Sequence, residues 1–308
     1  MLDLQNEVID ALVATPDELL DRLADLPGAI RGEPTGAMKD DGWVFLPGAR
    51  DADARVLLIA HVDTVADREP THAEIWQRGS MLTRQKASGA TWGVKDPLGA
   101  DDRAGVAVTW MLRDSGHSIL WVDGEESGGW GATAAADSIP HLLEQHIYMV
   151  EIDRAGDEVI AFYDGAVSSE FQDFCRDALP LFEHYWGTFT DIAVLGPRLG
   201  LCGMNLAAGY VYEHTSSEIL FLDALEYTYT QLKRLLMKQE PMRAIRPDPP
   251  AQRYGYAPKE PDIEWDDEPD EDGVIWGRTK AEDWDYERLD SLDYDPAADN
   301  RRPLDKVY

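Results

Sequence analysis

Five short stretches of this 308-residue chain carry histidines and acids that could serve a metal: His61-x-Asp63, Asp101-Asp102, Glu125-Glu126, Asp153 and His214. Imidazole mixed with carboxylate suits zinc or another first-row divalent ion, whereas calcium takes six or more oxygen ligands. Two histidines and three carboxylates are more than one tetrahedral zinc uses. They suit two ions sharing one bridging carboxylate, each also holding one histidine and one further acid, with positions open to water. Taken singly, each stretch has an ordinary reading. Paired acids at a turn are solvated charge, and an aspartate before a helix caps it.

The elements that must position these residues can be read from the apolar runs around them. RVLLIA (55–60) reads as a buried strand that delivers His61, Val62 and Asp63 to its carboxyl end. ILWV (119–122) runs into Gly124 and Ser127-Gly128-Gly129, which leaves Glu125 and Glu126 at a second strand end. IYMVEI (147–152) is a third buried strand, with Asp153 and Arg154 after it. In an open α/β sheet, ligands bind in the crevice outside the carboxyl ends of the strands. Asp101 and Asp102 stand at the start of a helix in which Val106, Trp110 and Met111 are helically spaced, and carboxylates are electrostatically favoured there. His214 precedes a final core helix at 222–238 with the stripe Leu222, Leu225, Tyr229, Leu232, Leu235 and Leu236.

Other segments read as scaffold. Helices are expected at 3–14 and 16–26, the second opened by a capping box of Thr15 and Glu18 with Pro16 at its first position. GWVFL (42–46) is a strand, the polar stretch 66–97 is edge hairpins and loops, and helices come next at 130–136 and 168–179. Trp186 to Asp191 reads as a loop leading into IAVLG, with a strand nearby. His72 is expected at the surface, and His117, His141 and His146 are read as structural. Asp191 could line a substrate pocket and Arg154 could meet a substrate carboxylate; an ordinary salt bridge would explain either.

The net charge of −31, from 59 acids against 28 basic residues, leaves little to neutralise phosphates and argues against nucleic acid or anionic membrane partners. The amino terminus carries acids rather than a basic leader, and no apolar run reaches membrane-spanning length, so a cytoplasmic, reducing setting is expected. Cys175 and Cys202 fit that setting as small buried hydrophobes. Residues 1–240 are read as the folded domain and 241–308 as an acidic, largely disordered tail, since nine of the 18 prolines fall there and no period is sustained. The tail's interleaved Trp265, Trp276, Trp284, Tyr286 and Tyr294 leave open a protein partner.

The ordered set HVDT, GADDRAG, DGEESGG, EID and EHTSSE resembles the co-catalytic zinc aminopeptidases and deacylases of metallopeptidase clan MH, including the peptidase T-like enzymes. The resemblance spans roughly residues 55–220. It implies a three-layer α/β/α sandwich around a mixed, mainly parallel sheet and a site holding two zinc ions. In that site Asp101 would be the bridging carboxylate, Glu126 and His214 would complete one zinc, and His61 with Asp153 the other. It also implies that Asp63 orients His61, that Glu125 is the general base, and that the Asp101–Asp102 peptide is cis. Many such relatives insert a lid or dimerisation domain between the aspartate ligand and the last histidine. Here Asp153 and His214 are only 61 positions apart, which fits the compact branch without a lid.

The implied activity is hydrolysis of an amide bond in a peptide or small amide substrate, by an aminopeptidase or small-peptide exopeptidase. An N-acyl-amino-acid deacylase is the alternative. The one-zinc glutaminyl cyclases of the same family rank lower because all five ligand positions are filled. From a different class, a binding protein on an inactive hydrolase fold could act through the acidic tail. Only 8 of the 28 basic residues are lysines, which together with the acidity fits a high-salt host or a high-GC genome. A salt titration of folding separates these: a high-salt protein loses structure as ionic strength falls, and full stability at low salt removes that reading.

Overall fold

Apolar runs too short for a helix become strands buried on both faces, and three of them form the centre of the sheet. These are β3 (Leu57–His61), β6 (Ser118–Val122) and β7 (Met149–Arg154), and they lie side by side in the order β6-β3-β7, all parallel. The computed structural model describes residues 2–32, 41–85 and 96–248, and two short strands beyond. On one edge, β2 (Trp43–Leu46) pairs antiparallel with β6, and β1 (Ile30–Gly32) antiparallel with β2. On the other, β10 (Gly203–Ala207) is parallel to β7 and antiparallel to β8 (Val159–Phe162), and β9 (Glu183–Trp186) pairs parallel with β8.

Side chains alternate across the strands, so neighbouring residues enter opposite layers. Leu58, Ala60, Ile119, Trp121, Val150 and Ile152 pack on one face. That layer holds α1 (Leu2–Leu12), α2 (Pro16–Ala24), α3 (Ala100–Met111), α6 (Ser169–Ala178) and α8 (Leu222–Met237). Leu57, Ile59, Leu120, Val122 and Met149 pack on the other, with α4 (Trp130–Ser138), α5 (Pro140–Leu143) and α7 (Asp191–Leu199). The result is the expected three-layer α/β/α sandwich with a mixed, mainly parallel sheet.

A second antiparallel sheet flanks the first. It orders β11 (Tyr210–Val211), β12 (Ile219–Phe221), β5 (Met81–Arg84) and β4 (Ile75–Arg78). The β4–β5 pair is the hairpin expected in the polar stretch 66–97, whose residues 86–95 lie outside the described ones. The Thr15–Glu18 capping box is present with both reciprocal hydrogen bonds.

The loop expected from Trp186 follows strand β9, as read, and IAVLG is the body of α7: Ile192, Leu195 and Leu199 recur at helical spacing and are buried against the sheet, a period masked by Gly196-Pro197. Backbone hydrogen bonds to the body extend past residue 240. Met242 N–H donates to Asp53 O, buried Ile245 donates to Ile147 O and accepts from Cys202 N–H, and Asp248 N–H donates to Val167 O. The chain divides into two compact units, Met1–Gln252 and Arg253–Tyr308. In the second, the described residues are one antiparallel pair, β13 (Glu264–Trp265) with β14 (Gly277–Arg278).

His117 and His146 are structural, as expected, while His72 and His141 are exposed. His117 accepts Val56 N–H at Nδ1, 3.1 Å, and faces Leu236 O through Nε2, whereas His146 Nδ1 donates to Leu143 O at 2.7 Å. Burial pushes both imidazoles down to about 4 from the ordinary 6.5. Between those values the unfolded chain binds a proton that the folded chain refuses, so stability is present above 6.5 and falls as pH falls. Replacing His146 by leucine is therefore expected to flatten the acid loss of stability by up to about 1.4 kcal/mol per pH unit, measured by urea unfolding at pH 6.5 and 5. An unchanged slope would contradict it.

Candidate metal centre

The three parallel strands end on the same side, and each delivers a polar side chain there. His61, the last residue of β3, is buried. Its Nδ1 faces Asp63, 3.2 Å from the backbone oxygen and 3.3 Å from Oδ1. That leaves Nε2 aimed at Asp101 Oδ1, 3.2 Å away, and Asp153 Oδ1, 3.5 Å away. Asp63 does a second job: its two carboxylate oxygens accept Glu125 N–H and Glu126 N–H at 3.1 and 3.0 Å. One carboxylate thus sets the ring of His61 and the turn after β6.

Asp101 and Asp102 open α3 with non-helical dihedrals, and the peptide between them is cis, as the resemblance implies. Their carboxylates have different tasks. Asp102 accepts His61 N–H and, in the manner of a cap, Gly105 N–H at 3.0 Å. A Cβ on Gly105 would stand 2.4 Å from Asp102 Oδ1, so only glycine allows this approach. Asp101 instead points outward between two imidazoles, Oδ1 toward His61 and Oδ2 toward His214 Nε2 at 3.0 Å. Buried Glu218 holds this loop from behind, accepting Gly99 N–H at 2.7 Å and Asp101 N–H at 3.1 Å.

His214 sits in the connection between β11 and β12, with 48% of its side chain exposed. It also contacts Glu126 Oε2 at 3.1 Å. Its φ of 61° and that of Tyr212, 57°, lie in the left-handed region that non-glycine residues enter at a cost of order 1–3 kcal/mol each. Asp101, Glu126 and His214 form one cluster with donor atoms within 4.8 Å of one another, and His61, Glu125 and Glu126 form another. His61, Asp102 and Asp153 form a third.

Asp153, in β7, is held on every side. Its N–H donates to Asn205 Oδ1 at 2.8 Å and its carbonyl accepts Asn205 Nδ2 at 3.1 Å. Tyr210 donates to its Oδ1, and Thr190 Oγ1 lies 2.9 Å from its Oδ2 and 2.7 Å from Glu151 Oε2. Asp191 is wholly buried, and neither carboxylate oxygen has a hydrogen-bond partner. It is therefore no exposed pocket wall, and among the described residues neither Asp191 nor Arg154 makes the ordinary ion pair weighed for it. Sequence reasoning missed Glu151, Thr190, Asn205, Tyr210 and Glu218. Of these Glu151 and Glu218 left a signal, inside EID and EHTSSE.

The electrostatics follow from crowding. Burial opposes ionisation of Asp101, but hydrogen bonds from His214 and His61 outweigh it and hold the carboxyl well below the usual range. The same contact with Asp101, then Glu126, pushes His214 up to about 11. Burial also opposes a charged His61, yet Asp101, Asp153 and Asp63 together raise it well above 6.5. Where burial outweighs the pull of a partner, acids go the other way. Burial lifts Glu125 to about 9 against the pull of His61, Asp191 to about 8, Glu218 to about 7 and Asp153 to about 6.

The donors fit a divalent ion. Two imidazole nitrogens face the two oxygens of one shared carboxylate, and Glu126 Oε1 is buried with no hydrogen-bond partner. No family model matches this sequence, and no curated protein does. The fold, however, is that of solved peptidases. An aminopeptidase PepT from Bacillus cereus superposes with a TM-score of 0.57 at 14% identity, over 76% of this chain and 97% of the other. A leucine aminopeptidase precursor from Bacteroides thetaiotaomicron gives 0.55 at 13% identity, over 78% and 96%. A tripeptidase from Staphylococcus aureus gives 0.53 at 14%, over 77% and 97%. Among the described residues no helix is long and apolar enough to cross a membrane.

A divalent ion and a proton compete for the same nitrogens of His61 and His214. Adding zinc to the chelator-treated protein at neutral pH is expected to release about two protons per chain, read by calorimetry in buffers of different ionisation enthalpy. Binding without proton release would contradict this charge pattern.

Proposed function

We propose that this protein is a dinuclear zinc hydrolase of peptide bonds, an aminopeptidase or small-peptide exopeptidase. The observation that carries the reading is Asp101, whose two oxygens each face an imidazole of a different segment, as a bridging carboxylate must. On this reading His61 and Asp153 would hold one ion, Glu126 and His214 the other, and Asp101 would serve both. Bound zinc would lower the pKa of water toward about 7 and polarise the scissile carbonyl.

The remaining chemistry falls to the chain. Asp63 faces His61 Nδ1, which leaves Nε2 as the ligating nitrogen and makes the imidazole a better donor. Through the amides of Glu125 and Glu126, the same carboxylate fixes where the base stands. Glu125 takes the proton of the attacking water. Its burial favours holding that proton until it passes to the leaving nitrogen. The peptidase folds of the compared structures support peptide over other amides.

The test joins metal analysis to a substrate panel. Glu125→Gln is expected to keep both ions and lose about 10²- to 10⁴-fold in turnover, whereas His214→Ala loses an ion and activity together. Aminoacyl amides and short peptides should turn over in a chelator-sensitive way, and N-acetyl amino acids should not. Wild-type turnover by Glu125→Gln sinks the assignment. Turnover of the N-acetyl panel alone would make the protein a deacylase.

A further inference from the structure

We propose that Thr190 and Tyr210 are positioning residues that clamp the two oxygens of Asp153, a role that rests on the hydrolase reading above. Asp153 Oδ1 is the oxygen nearest His61 Nε2, at 3.5 Å, and Tyr210 donates to it at 2.9 Å. The opposite oxygen, Oδ2, lies 2.9 Å from the hydroxyl of Thr190, whose single proton goes to it when Glu151 Oε2, 2.7 Å from the same hydroxyl, carries a proton of its own and donates in turn. Asn205 pins the backbone of the same residue from both sides, where the β7–β10 pairing shifts register. Thr190 and Tyr210 are 1% and 2% exposed, so water does not compete for either hydroxyl.

Thr190 stands at the amino-terminal cap of α7, where a threonine hydroxyl normally accepts an amide of the first helical turn. Here it makes no such bond. Glu151 Oε2 takes the amide instead, facing Ile192 N–H at 3.4 Å, and the hydroxyl is released toward the carboxylates. A threonine in extended backbone, φ −179° and ψ 177°, has other ways to be satisfied at a helix start. This one is turned inward to the oxygen of a metal-site aspartate. Held at both oxygens, the carboxylate of Asp153 is fixed in its plane, with Oδ1 kept beside His61 Nε2. Thr190 and Tyr210 therefore set how Asp153 binds, and touch neither substrate nor ion.

Thr190→Val removes the hydroxyl and keeps the shape. Zinc affinity measured by chelator competition should fall about 10- to 100-fold for one of the two ions, the usual cost of losing a partner behind a ligand, and stay near wild type for the other. Thr190→Ser should restore it. The visible spectrum of the cobalt-substituted protein should shift in Thr190→Val and return in Thr190→Ser, a response that loss of packing alone does not give. Tyr210→Phe should weaken the same ion, and because both hydroxyls hold one carboxylate, the double variant should lose less than the product of the single losses. Wild-type affinity and spectrum in Thr190→Val overturn the proposal. If that variant does not fold, Tyr210→Phe decides, and wild-type affinity there overturns it. A wild-type chain that binds no zinc would instead overturn the hydrolase reading and, with it, the role given to the clamp.

Discussion

The structure turns on one carboxylate between two imidazoles. Asp101 can reach both His61 and His214 only because α3 starts with a bend, Asp102 turns back to cap it, and Glu218 holds the preceding amides. The histidines come from different architectures, one from the end of a fully buried parallel strand, the other from an exposed connection in the flanking sheet. A shift of either element against the other would break the sharing. The glycine at 105 and the left-handed backbone of His214 are a local constraint and a local cost accepted at this one place.

Around that carboxylate, identical chemical groups are given different characters by what faces them. Asp63 and Asp101 have imidazole partners and stay ionised. At Glu125, Asp153 and Asp191 burial outweighs whatever partners face them and pushes them toward the protonated form. Environments that push the pKa values of neighbouring acids apart are how one site obtains a ligand and a base from the same side-chain type. A divalent ion is the natural way to resolve the remaining excess of negative charge.

Much of this was legible in the sequence because it is local. A buried strand shows itself as an apolar run, and the residues directly after the run are those the strand delivers, so His61, Glu125, Glu126 and Asp153 could be located at strand ends before any coordinates. α7 was missed for an equally local reason: Gly196-Pro197 looks like a break, while the spacing of Ile192, Leu195 and Leu199 that makes the helix is only rewarded by the sheet beneath it. The clamp on Asp153 was not legible at all. Thr190, Asn205 and Tyr210 are ordinary residue types, distant from Asp153 along the chain, and nothing in their immediate sequence marks them. Only the parallel pairing of β7 with β10 and the start of α7 bring them to one atom group.

Arg103 comes directly after the two aspartates and is almost wholly buried. Its guanidinium donates to the carbonyls of Ala11 and Ala14, closing the carboxyl end of α1. Were that helix to fray, a buried cation would lose its acceptors one residue from Asp102, a penalty that water cannot relieve without entering the core. Arg103, which also lies 3.8 Å from Glu69, thereby ties the end of α1 to the start of α3. Slow amide exchange in α1 would then report how firmly the start of α3 is held, although the two lie far apart along the chain.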